Sequence, residues 1–125
     1  MTGKEYQNLA MRTNDGGSES RLKNAIHTSN VINIADLLVG AIGLCGEAGE
    51  VCEQVKKGVF HAHGLNPEQI TKELGDVMWY VAMCCDALRI SLDDVMKGNI
   101  DKLRKRYPDG FSTDASIHRE EYQND

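Results

Sequence analysis

The strongest constraint on the fold lies between Ile34 and Arg89, where apolar residues return at every third or fourth position in two long runs. In the first, from about Ile34 to Lys57, the stripe is Leu37, Ala41, Leu44, Cys45, Ala48, Val51, Cys52 and Val55. In the second, from Pro67 to Arg89, it is Leu74, Val77, Met78, Val81, Cys84, Cys85 and Leu88. A repeat near 3.6 residues gathers side chains on one side of an α-helix, whereas a half-buried strand alternates with a period of two. The sequence has only two prolines and few alternating β-branched positions, so the expected fold is all-α: an antiparallel bundle of about four to five helices in a single domain, 1–125.

Punctuation along the chain sets the expected boundaries. Gly58 stops the first long helix, and residues 59–65 form a loop. Asn66-Pro67-Glu68-Gln69 then supplies a cap, a proline at the first helical position and a glutamine at the third. Ser91, with Asp94 three residues on, opens a last helix that ends near Arg106, where Tyr107-Pro108-Asp109-Gly110 terminates it. Residues 4–12 are expected to form a short helix with Tyr6, Leu9 and Ala10 inward, and residues 14–20 a flexible break. Residues 112–125 are a polar tail with little to bury.

Composition narrows the function classes. The stretch from Ile32 to Cys45 is interrupted by Asn33 and Asp36 and is too short to span a bilayer. The opening Met-Thr-Gly-Lys-Glu-Tyr lacks the apolar core of a signal peptide, so a cytoplasmic protein is expected. Cys45, Cys52, Cys84 and Cys85 fall within the helical stripes and are expected to be reduced core thiols. A net charge of −5 disfavours a nucleic-acid partner, and the lack of a bilayer-length apolar stretch leads to the expectation of no membrane partner. An acidic chain that handles phosphates needs a cation between itself and its substrate.

Four acids suggest where that cation sits. Glu47 and Glu50 are three residues apart and border the first stripe, and Glu73 and Asp76 repeat that spacing beside the second, with Tyr80 one turn on. Antiparallel packing of the two stripes brings these carboxylates together, where mutual repulsion is relieved by a bound cation. Oxygen ligands without Cys or His select a hard ion, Mg²⁺ or Mn²⁺. Glu53, a turn further on, is an outer ligand or plain surface, and Lys56 and Lys57 suit the helix C-terminus. Gly40, Gly43, Gly46 and Gly49 recur within the same helix, although each mid-helix glycine costs about 1 kcal/mol relative to alanine. Close approach of another backbone or of a ligand would offset that cost. Asn99, Lys102 and Arg106 share a helical face near the C-terminus and suit phosphate oxygens.

Other chemistries find less support. His61 and His63 form a lone His-x-His on a loop, a weak zinc signal. The sequence contains neither a P-loop nor a Gly-x-Ser-x-Gly elbow. A di-iron bundle would want Glu-x-x-His pairs, and the partners here are Glu50 and Asp76.

The segments Gly43-Leu44-Cys45-Gly46-Glu47-Ala48-Gly49-Glu50-Val51-Cys52-Glu53, Glu73-Leu74-Gly75-Asp76-Val77-Met78-Trp79-Tyr80 and Asn99-Ile100-Asp101-Lys102-Leu103, with Arg106-Tyr107-Pro108, resemble the MazG-like group of all-α nucleoside triphosphate pyrophosphohydrolases over roughly residues 35–111. The resemblance implies that Glu47, Glu50, Glu73 and Asp76 bind Mg²⁺, with Mn²⁺ as a substitute. It implies that Asn99, Lys102 and Arg106 hold phosphates and that Tyr80 lines the nucleotide pocket. Glu50 or Glu53 would take a proton from the attacking water. The implied reaction is hydrolysis of a (deoxy)nucleoside triphosphate to the monophosphate and pyrophosphate, in nucleotide-pool control or house-cleaning. The implied assembly is a homodimer or homotetramer whose subunits complete the bundle. The alternative is a non-catalytic helical interaction module of the same fold.

Overall fold

The computed structural model describes residues 1–118 and contains six helices, with no strand among the described residues. They are α1 (Gly3–Met11), α2 (Ser18–Thr28), α3 (Ile34–Phe60), α4 (Pro67–Leu88), α5 (Leu92–Arg106) and α6 (Thr113–Ile117). The all-α expectation holds, and no helix of the described residues is long and apolar enough to cross a membrane. The chain divides into two compact units, one ending at Leu88 and the other beginning at Arg89.

Local chemistry accounts for most helix ends. Asn33 caps α3 by accepting from the Asp36 amide at 3.1 Å, and Asn66 serves α4 in the same way through Gln69 at 3.1 Å. Ser91 caps α5 through the Asp93 amide at 3.1 Å. α3 runs through Gly58 to Phe60, beyond the expected stop, because Gly58 packs against the returning loop: a Cβ there would lie 2.8 Å from Leu65 Cδ2 and 3.0 Å from the Gly64 carbonyl. Past Leu88 the chain leaves the helix through Arg89 at φ 59°.

Three expectations require correction. The break over residues 14–20 is shorter than expected, since α2 begins at Ser18. α1 forms, with a reciprocal capping box between Thr2 and Glu5, yet Tyr6 and Leu9 are exposed and do not face a core. The tail contains α6, whose N-cap Ser112 accepts from the Ala115 amide at 3.1 Å; the rest of the expected tail, beyond His118, lies outside the described residues.

The first unit is organised by α3 and α4, which run antiparallel. Gly40 meets Cys84, Gly43 meets Tyr80, and Glu47 meets Glu73 and Asp76, so residues pair in reverse order along the seam. Small residues set the close approach. A Cβ on Gly40 would lie 2.7 Å from Cys84 Sγ, and one on Gly43 would overlap the Tyr80 ring. Gly46 and Gly49 instead face open space, so among the described residues the close-approach expectation holds for the first two glycines only.

The apolar stripes are wider than one neighbouring helix can cover. Leu37, Leu44 and Val51 of α3 are half-buried towards α4, whereas Ala41, Cys45, Ala48, Cys52 and Val55 are exposed. On α4, Val77, Val81, Cys84 and Leu88 are half-buried, and Leu74 and Met78 are each 49% exposed. The expectation of four core thiols therefore fails for Cys45 and Cys52; only Cys85 is buried. Successive residues wind in opposite senses around antiparallel right-handed helices when both are viewed from one end. The open halves of the two stripes consequently fall on the same side of the hairpin. By helical position Glu50 and Asp76 fall on the other side, and exposed Trp79 lies about 60° further round α4 from the seam than Asp76.

Candidate metal centre

The seam between α3 and α4 brings three carboxylates together. One oxygen each from Glu47, Glu73 and Asp76 can be chosen so that all lie within 4.8 Å of one another, the only such cluster of potential ligands among the described residues. Two come from α4 at a three-residue spacing and one from the facing turn of α3, the convergence expected of antiparallel stripes bordered by acids. Glu47 and Glu73 are half-buried, and Asp76 is exposed at the rim. Glu50, one turn along α3, is exposed and lies outside this trio, about 60° further from the seam.

The acids of the cluster repel one another. Partial desolvation, followed by the charges of Asp76, Glu73 and Glu50, holds the Glu47 carboxyl above its ordinary range. A proton is thus favoured where a cation would serve the same neutralising role. The donors are all carboxylate oxygens with no sulfur or imidazole among them, a set suited to a hard divalent ion such as Mg²⁺. His61 and His63 contact one another edge-on, with centroids 6.5 Å apart, and join no cluster of potential metal ligands among the described residues.

Gln69 was not anticipated as part of the site. Its amide Nε2 donates to Glu73 Oε1 at 2.6 Å, fixing one oxygen of the carboxylate and leaving the other for a ligand. The i,i+4 spacing of Gln69 and Glu73 carries that signal in the sequence. Its place in the first turn of α4 suggested the reciprocal capping role instead.

Glu53 has a different environment. It pairs with Lys56 and, at 3.2 Å, with Lys57, and hydrogen bonds from those two lysines hold its carboxyl below the ordinary range. An acid so paired is a poorer proton acceptor than an unpaired one. Tyr80 is half-buried, with its ring against Gly43 and edge-on to Trp79 at 5.0 Å. Asn99, Lys102 and Arg106 lie on α5 in the second unit, where Asn99 and Lys102 are exposed and Arg106 stacks over the Tyr107 ring at 5.7 Å.

Acids gathered across an antiparallel hairpin, with no histidine or cysteine among them, define a helical protein with an all-oxygen carboxylate site. The family model for the MazG nucleotide pyrophosphohydrolase domain matches residues 41–111, more than half of the chain, and the chain belongs to that family. It is 39% identical over 91 residues to the Gene 37 protein of Mycobacterium phage L5, an alignment covering 70% of this chain and 80% of that protein. No solved structure matches.

Proposed function

We propose that the protein hydrolyses a nucleoside triphosphate to the monophosphate and pyrophosphate with Mg²⁺ held by Glu47, Glu73 and Asp76, and with Glu50 completing the acid set. The observation that carries this reading is the convergence of three carboxylates within 4.8 Å in a chain whose family model is a nucleotide pyrophosphohydrolase domain. Bound there, Mg²⁺ would neutralise the triphosphate and lower the pKa of a water. Gln69 orients Glu73, and the α3 and α4 backbones fix the spacing of the acids. Glu50 takes the proton of the attacking water, a role for which its exposure on the Asp76 side suits it better than the lysine-paired Glu53. Asn99, Lys102 and Arg106 hold phosphate oxygens, and Tyr80 lines the base pocket. The physiological role is control or cleansing of the nucleotide pool.

The assembly proposed is a homodimer or homotetramer in which a second hairpin covers the open apolar side of α3 and α4. Support comes from burial: among the described residues only Gly40, Cys85 and Ala87 are buried, far less than a stable helical core requires. A second copy supplies an apolar stripe of the same width and length.

The test is a panel of canonical and modified deoxynucleoside triphosphates assayed with Mg²⁺, with Mn²⁺ and with EDTA. Pyrophosphate release that depends on the metal is expected. Release of orthophosphate, or no turnover on any substrate, contradicts the reading and favours a non-catalytic helical module.

A further inference from the structure

The chain has a single tryptophan, Trp79, and it is 61% exposed although it belongs to a long, well-formed helix. An indole left in water forgoes one of the largest apolar burials available to a side chain, so its position relative to the acids is informative. Trp79 follows Asp76 by three residues and therefore shares its side of α4, one turn along. It lies away from Leu74 and Met78, which face the open apolar side.

Its ring is also braced. Trp79 and Tyr80 meet at an interplanar angle of 86° with centroids 5.0 Å apart, an edge-to-face contact that restrains the indole and does not cover it by stacking. Tyr80 is in turn positioned by Gly43, whose missing Cβ makes room for the phenol ring. Gly43 precedes Glu47 by one helical turn. Gly43 and Tyr80 thus form an aromatic layer of the seam adjoining the carboxylate layer, Glu47, Glu73 and Asp76, and Trp79 lies against the outer edge of that layer. The separation of the layers is about one helical pitch, roughly 5 Å. A nucleotide whose α-phosphate sits at the acids places its base one sugar further on, a comparable span.

We propose that Trp79 is the platform on which the base of the substrate stacks, so that the site recognises an aromatic base joined to the triphosphate and discriminates against triphosphate alone. This rests on the nucleoside triphosphate reading of the acid cluster. Stacking of this kind is tolerant of base identity, because every base offers a π-face, and Trp79 accordingly contributes affinity in common to purines and pyrimidines.

Because Trp79 is the sole tryptophan, the native protein reports on it directly. With Mg²⁺ present, a non-hydrolysable deoxynucleoside triphosphate analogue is expected to quench the intrinsic fluorescence saturably, while inorganic tripolyphosphate leaves it unchanged. Trp79→Ala is expected to raise KM by about ten-fold or more with a smaller effect on kcat, and Trp79→Phe to recover much of that loss. If the wild type releases pyrophosphate but neither its fluorescence responds to the analogue nor Trp79→Ala changes KM, the platform assignment is overturned while the hydrolase reading stands. If Trp79→Ala instead dissociates the assembly, with KM unchanged at concentrations that restore it, Trp79 is an interface residue and the proposal fails. Absence of turnover in the wild type would remove the reading on which the proposal rests.

Discussion

At the scale of single residues, the site joins two kinds of information of unequal legibility. Glu47, Glu73 and Asp76 could be read from spacing because a helix converts a three-residue interval into a shared face, and the adjoining apolar stripe says which way that face is turned. Gln69 is harder to read because one residue can cap a helix or brace an acid, and in the folded chain it bonds Glu73. Charge at Glu47 leads to a pH-dependent prediction. Its folded pKa is raised, so the contribution from protonation is fully present below the unfolded value, near 4.5, and is lost as pH rises through the higher folded value. Metal-free Glu47→Gln is therefore expected to melt above the wild type at pH 7, with the difference shrinking towards pH 4.5, and calorimetry across that range checks it. The glycines supply a second contrast. Gly40→Ala is expected to lower the melting temperature, since the new methyl meets Cys84, whereas Gly46→Ala, with nothing within 4 Å of the new methyl among the described residues, should stabilise by about 1 kcal/mol in chemical denaturation.

Among the elements, α3 and α4 were the most legible because their periodicity is long and their caps are strong. The end of α3 was misplaced because a glycine that stops one helix can be a packing contact in another, and Gly58 packs on the loop to Leu65. α2 escaped detection because its start, Ser18 after two glycines, reads as loop chemistry, and its stripe of Leu22 and Ile26 is short. The exit from α4 offers a test. Arg89 occupies the left-handed region at φ 59°, which suits glycine at a helix C-terminus, so Arg89→Gly is expected to stabilise the protein by about 1 kcal/mol in urea denaturation.

For the molecule as a whole, an apolar stripe in sequence predicts burial but not which chain provides the cover. Five apolar residues of the α3 stripe lie open, so the hydrophobic pattern describes more contact than the hairpin makes within itself. Met78→Asp introduces a charge on the open side and is expected to convert an oligomer to monomer in analytical ultracentrifugation, leaving the helical circular dichroism of α3 and α4 weakened but present. An unchanged sedimentation coefficient would place the interface elsewhere. The central claim, that the trio of carboxylates holds the ion on which hydrolysis depends, is tested most directly by Mn²⁺ binding followed by electron paramagnetic resonance, alongside pyrophosphate release, for the wild type and Asp76→Asn. The expected result is joint loss of Mn²⁺ affinity and turnover in the variant with its helical signal intact; retention of wild-type Mn²⁺ affinity and turnover in Asp76→Asn would contradict it.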